Sequence, residues 1–144
     1  MNTYADTSFL VRLYLTQSDS AKAIRFMQNF SEALPYTPLH RHELRNALRL
    51  AVFRDEIDAA RRSAALEDVE SDLADGILAH VPIPWTDAFR EAERLGATHT
   101  ETLGVRSVDL FHAGVALALG IRQFLTFDLR QASLARAAGL KIMP

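Results

Sequence analysis

The chain has 144 residues, 49% of them hydrophobic, and a formal net charge of -2. That length suits one domain, residues 1–144, with a core buried from both sides, and the charge excludes a uniformly basic nucleic-acid coat while leaving room for a local arginine patch. The absence of cysteine excludes disulfides, thiolate zinc sites and a cysteine nucleophile, so any metal must be held by oxygen or imidazole. No apolar run approaches about 18 residues and no basic-then-apolar leader precedes Asp6, so the expectation is a cytoplasmic protein with no membrane attachment.

Met1 to Ser8 reads as a short strand ending on Asp6 and running directly into a helix. Such a first strand is expected at the centre of a sheet, with Asp6 on the carboxyl rim where open α/β sheets bind ligands. By itself, an aspartate between a strand and a helix is an ordinary N-cap. Phe9, Leu10, Leu13 and Tyr14 give Thr7–Thr16 helical spacing, and a second helix from Ser20 carries Ala23, Ile24, Met27 and Phe30 on one stripe. Leu34 to Thr37 is a brief second strand. Thr37 then caps, and Pro38 opens, a long helix to about Phe53.

In that third helix Glu43 and Asn46 lie three residues apart, on one face near its start, and so belong to the same rim. Arg41, Arg45 and Arg49 repeat every four residues. At about 100° per residue they lie roughly 160 to 240° around the helix from Glu43, which makes them a solvated or subunit-contact face.

From Asp55 to Gly76 a helical pattern turns Leu66, Val69 and Leu73 inward and leaves Asp68, Asp72 and Asp75 for solubility. Ile77–Ile83, with Pro82 at its exit, is a short edge strand. Thr86 caps a helix over Asp87–Leu95, and His99–Thr102, flanked by Gly96 and Gly104, reads as a surface loop. Ser107 caps a helix apolar almost all the way round, which is the pattern of a helix buried against a sheet. Asp109 in its first turn complements the helix dipole or serves a site, and His112 one turn on reads as a hydrogen-bonded histidine at the core edge. Arg122–Asp128 is an apolar strand that again ends on an aspartate. A helix from Leu129 to Ala138, stopped by Gly139, precedes a last strand, Leu140–Met143. Strands alternating with helices imply an α/β fold with a parallel sheet and helices on both faces.

Asp6, Glu43, Asp109 and Asp128 each follow a predicted strand or open the helix after it. Four carboxylates at one rim raise each other's pKa unless a cation neutralises them. Magnesium or manganese, which prefer oxygen ligands, would activate a bound water and stabilise charge building on a phosphate. The chemistry implied is phosphodiester hydrolysis. Asp6 and Asp109 are expected to touch the metal directly, and Glu43 and Asp128 to complete the site. Ser8, Asn46 and Thr126 are expected to support it, and Arg12, Arg106 and Arg130 are candidate phosphate contacts.

The Asp6-Thr7-Ser8 start, Glu43 with Asn46, Ser107-Val108-Asp109 opening an Ala-rich helix, and Phe124 to Asp128 followed by Gln131 and Ala138-Gly139-Leu140 together resemble the PIN-domain ribonucleases, and among them the VapC-type toxins of bacterial toxin-antitoxin pairs. The resemblance spans essentially the whole chain. It implies a three-layer α/β/α fold whose five-stranded parallel sheet runs 3-2-1-4-5. It also implies magnesium-dependent cleavage of RNA, a homodimer and a small antitoxin partner. A haloacid-dehalogenase-like phosphotransferase also starts with an aspartate after its first strand, but that pattern needs a second aspartate where Ser8 stands. A PIN-like interaction module without activity is opposed by the full acidic set.

Overall fold

The computed structural model describes all residues, Met1–Pro144. The elements run β1 (Thr3–Ala5), α1 (Thr7–Tyr14), α2 (Ser20–Gln28), β2 (Leu34–Tyr36), α3 (Pro38–Phe53), α4 (Ala59–Ala74), β3 (Leu78–His80), α5 (Trp85–Leu103), α6 (Ser107–Ala118), β4 (Gln123–Leu125), α7 (Leu129–Ala137) and β5 (Lys141–Met143). No helix is long and apolar enough to cross a membrane. The chain forms two compact units, one of Met1–Asp6 with Pro82–Pro144 and the other of Thr7–Val81.

The first unit is built on a parallel three-stranded sheet, β1-β4-β5, in which Tyr4 faces Phe124 and Phe124 faces Ile142 in register. Tyr4, Ala5, Phe124 and Leu125 are fully buried, as an all-parallel sheet requires. The α5–α6 pair packs closely because Gly114 on α6 meets Ala88 and Ala92 on α5. A Cβ at Gly114 would lie 2.5 Å from the Ala88 carbonyl oxygen. As the composition of α6 predicts, Phe111, His112, Ala113, Val115 and Ala116 are all buried.

In the second unit β2 and β3 form a two-stranded parallel ladder. Leu34, Tyr36 and Leu78 are buried with Phe9 and Leu10 of α1, Leu44 and Leu48 of α3, and Ala65 and Val69 of α4. Thr37 caps α3 as expected: its side chain accepts from the His40 amide, while the His40 ring accepts from the Thr37 amide and Pro38 takes the first turn.

Four expectations are corrected. The α/β class stands, but the strands form two sheets rather than one in the order 3-2-1-4-5, and β4, not β1, is the middle strand of its sheet. The reason lies in β2. Its Leu34 amide donates to Ile77 and its Tyr36 carbonyl accepts from Val81. The central Pro35 therefore faces the opposite edge, where it has no N–H to offer a ladder.

Second, His99–Thr102 is helix, not loop, since α5 runs on to Leu103 and stops at Gly104 in the left-handed conformation, φ 64°. Gly96 inside it is a packing glycine: a Cβ there would come within 3.2 Å of Leu110 Cδ1. Third, α4 begins at Ala59, capped by Asp58, after a turn in which Asp55 takes a positive φ of 56°. Fourth, Asp72 is more than a solubilising charge, because Tyr14 donates its hydroxyl to Asp72 Oδ2 at 2.6 Å.

Candidate active site

In the first unit the carboxyl end of β1 delivers Asp6, the carboxyl end of β4 delivers Thr126 and Asp128, and the first turn of α6 delivers Asp109. Asp6 continues the β1–β4 ladder, its amide donating to the Leu125 carbonyl at 3.1 Å. Asp6 is 5% exposed, and Thr126 Oγ1 donates to its Oδ2 at 2.5 Å. The same hydroxyl oxygen accepts from the Asp128 amide at 3.0 Å, so one threonine couples the two aspartates.

Asp128 is a true N-cap. Its Oδ1 accepts from the Gln131 amide at 2.8 Å in the first turn of α7. The Gln131 side chain continues the series of bonds, its Nε2 donating to the Asp109 carbonyl at 3.1 Å. Asp109, 8% exposed, turns its carboxylate back onto Arg106, the N-cap residue of α6. Arg106 Nε lies 3.1 Å from Oδ2 and Nη2 3.3 Å from Oδ1, a two-pronged ion pair. Ser107 is the first helical residue rather than the cap. A continuous hydrogen-bonded path thus runs from Asp6 through Thr126, Asp128 and Gln131 to Asp109 and Arg106.

The donor chemistry of this path fits a hard divalent cation, which takes carboxylate and amide oxygen. Gln131 adds an observation of its own: it is 1% exposed, and its Oε1 is a buried acceptor with no hydrogen-bond partner. An unsatisfied buried acceptor on a residue that bonds both Asp128 and Asp109 would suit a water held by such a cation as its donor. As they stand, no three histidine, aspartate or glutamate side chains converge closely enough to hold an ion. Asp109 is engaged by a guanidinium, and one oxygen of Asp128 by a backbone amide. Gln131 is marked in the sequence only through the family resemblance, because a glutamine in a first helical turn carries no signal of its own.

His112 behaves as expected, buried with its Nδ1 2.8 Å from the Tyr4 hydroxyl. Tyr4 is two residues before Asp6 on β1, and His112 three after Asp109 on α6. The bond therefore braces the strand and the helix that present the two acids.

The second unit carries Glu43, Ser8, Arg12 and Asn46. Glu43 Oε1 accepts from Thr7 Oγ1 at 2.7 Å. Arg12 donates to the backbone carbonyls of Ser8 at 2.7 Å and Ser18 at 3.0 Å. Asn46 is brought together with Arg41, His42, Arg45 and Arg49 along α3. In the first unit, Arg130 donates to the Gly104 carbonyl at 3.3 Å from an exposed position. All three expected phosphate contacts are thus engaged by protein acceptors.

A PIN domain family model matches residues 3–137, spanning both units. No curated protein matches the sequence significantly. Solved structures do. VapC20 of Mycobacterium tuberculosis, described as a sarcin-ricin loop cleaving toxin, is 17% identical over 99% of this chain and 100% of its own, with a TM-score of 0.69. FitAcB from Neisseria gonorrhoeae is also 17% identical, over 99% and 96%, with a TM-score of 0.70. VapBC-5 of Mycobacterium tuberculosis, a member of the VapBC family of toxin-antitoxin systems, is 26% identical over 99% and 97%, with a TM-score of 0.60.

Proposed function

The chain belongs to the PIN-domain family, and from that premise we propose that it is a divalent-metal-dependent endoribonuclease and the toxin of a toxin-antitoxin pair. The observation that carries the reading is the hydrogen-bonded path linking Asp6, Asp128 and Asp109 within one unit. The match over residues 3–137 supports a single PIN domain. The similar VapC20 is named a sarcin-ricin loop cleaving toxin, which supports RNA as the substrate class, and the likeness to VapBC-5 supports a small antitoxin partner. A homodimer belongs to the same reading.

Magnesium or manganese, when bound, supplies a water activated for attack on the phosphodiester and positive charge for the phosphate oxygens. Asp6 and Asp109 are the proposed direct ligands, with Glu43 and Asp128 completing the set. Thr126 holds Asp6 in one orientation through a donated hydrogen bond and fixes Asp128 through its amide. Gln131 would offer an acceptor to a water held by the cation, and Arg106, released from Asp109, would offer a phosphate contact.

Incubation of the purified protein with total RNA, with and without magnesium, followed by mapping of the cut ends, tests the proposal. Magnesium-dependent cuts that disappear in Asp6→Asn are the expected result. A second reading, a PIN fold kept as an interaction module, is favoured by the Arg106 ion pair that already neutralises Asp109. Absence of both cleavage and magnesium binding would favour it over the enzyme.

A further inference from the structure

Along α3, Pro38, Arg41, His42, Arg45, Asn46 and Arg49 line an open groove of about 430 Å³, with no acidic residue among them. The chain as a whole is weakly acidic, so this concentration of guanidinium groups is local. Arg41 and Arg45 share a single carboxylate, Glu70 Oε1, at 3.2 and 3.4 Å, and Arg49 donates only to the Arg45 carbonyl. Three cations therefore face one anion. Both pairs with Glu70 are solvent-exposed, and exposed ion pairs are weak enough to be exchanged for a stronger anion at little cost.

The spacing selects the anion. Four residues of α-helix advance about 6 Å, close to the separation of consecutive phosphates along one nucleic-acid strand. Arginine forks bind phosphate oxygens in pairs. We infer that this groove is a second binding site, a track for the sugar-phosphate backbone of RNA. The inference rests on the ribonuclease reading and locates a binding surface that the acidic residues do not supply.

Fluorescence anisotropy of a labelled single-stranded RNA in EDTA, over a series of salt concentrations, tests it for the wild type, Arg49→Gln and the triple variant Arg41→Gln, Arg45→Gln, Arg49→Gln. Removing one arginine–phosphate pair lowers the slope of log affinity against log salt by about 0.7. The slope should therefore fall by about 0.7 in the single variant and about 2 in the triple variant, which should also bind at least tenfold more weakly at low salt. Thermal melts confirm folding, and Arg49→Gln, which breaks only a bond to backbone, remains informative if the triple variant does not fold. Unchanged slopes in variants of a wild type that binds and cuts RNA overturn the track alone. Altered sedimentation with unchanged RNA binding also overturns it and makes this face a protein interface. A wild type that neither binds nor cuts RNA removes the ribonuclease reading and the track together.

Discussion

The Arg106 guanidinium lies fork-on against the carboxylate of Asp109, three residues on, with Nε and Nη2 at 3.1 and 3.3 Å from its two oxygens. A positive charge thus already sits where the proposed reaction needs a cation. The arginine side chain is 67% exposed while the aspartate side chain alone is 11% exposed, so the pair is screened on one side only and is worth at most about 1 kcal/mol. A divalent ion binding Asp109 must displace it. Arg106→Gln is therefore expected to tighten magnesium binding by up to about fivefold, the equivalent of that energy, and to weaken RNA binding. Isothermal titration calorimetry with magnesium checks the first effect. Equal or weaker metal binding in the variant would show that Arg106 does not compete with the cation.

Thr126 offers a second test. Its hydroxyl donates to Asp6 Oδ2 and accepts from the Asp128 amide, and it is buried. Thr126→Val keeps the shape but removes a donor to a buried carboxylate and the acceptor of a backbone amide, at a cost of about 1–3 kcal/mol. Thr126→Ser keeps the hydroxyl and should restore both stability and cleavage. Chemical denaturation together with an RNA cleavage assay decides the point; a valine variant as stable and active as the serine variant would mean that the coupling carries nothing.

Much of this arrangement is legible in the residues, and the part that is not has identifiable causes. The capping pair Thr37-Pro38, the buried helix opened by Ser107-Val108-Asp109, and the strand ends at Asp6 and Asp128 are all local signals, and the structure places each near its expected element. The single five-stranded sheet fails at Pro35, whose missing N–H acts on a strand pairing that no local pattern displays. The false loop at His99–Thr102 comes from two glycines that do different jobs: Gly96 makes room for Leu110, and only Gly104 ends the helix. In the site, neither the pairing of Arg106 with Asp109 nor the unpartnered Gln131 Oε1 follows from residue type. Arginine before a helix and glutamine in its first turn are both common on solvated surfaces.

Gly114 predicts a stability effect without chemistry. A Cβ there would approach the Ala88 carbonyl oxygen to 2.5 Å and the Ala92 amide nitrogen to 3.0 Å. Both are backbone atoms, so relief requires α5 and α6 to move apart. Gly114→Ala gains helix propensity yet is expected to lose about 1–3 kcal/mol by overpacking. Urea midpoints measure the balance, and a stabilised variant would show that the helix pair is loosely set.

Tyr14 predicts a pH dependence. Burial, then the hydrogen bond to Asp72 and the charge of that carboxylate, push its phenol far above the ordinary range. Burial raises Tyr36 as well. In the unfolded chain a tyrosine ionises near about pH 10. A folded pKa above that value means that the stability contributed is fully present below about pH 10 and is lost as the pH climbs beyond it. Tyr14→Phe should be less stable by about 1–2 kcal/mol at pH 8, through loss of the bond to a charged acceptor, and should fall less steeply above pH 10. Urea denaturation from pH 8 to 11 reads both; parallel curves for wild type and variant would mean that Tyr14 ionises as freely folded as unfolded.

The division of labour among the four acids gives the final test. Asp128→Asn preserves an oxygen that accepts from the Gln131 amide, and asparagine caps a helix as well as aspartate does, so this variant removes charge while α7 keeps its start. Asp6→Asn likewise leaves an oxygen for the Thr126 hydroxyl. With the fold spared in both, any change in metal dependence reports charge at the site rather than local unfolding. Glu43→Gln and Asp128→Asn are expected to retain cleavage at a raised magnesium requirement, because each is proposed to complete the metal's surroundings and not to hold it directly. Asp6→Asn and Asp109→Asn are expected to be inactive at every concentration, since a neutral amide oxygen in place of a directly coordinating carboxylate holds a hard cation too weakly for millimolar metal to compensate. A magnesium titration of cleavage by all four variants, set beside their thermal melts in EDTA, makes the comparison. Full recovery of Asp6→Asn at millimolar magnesium, with Asp128→Asn beyond rescue, would move the direct ligand from the end of β1 to the end of β4.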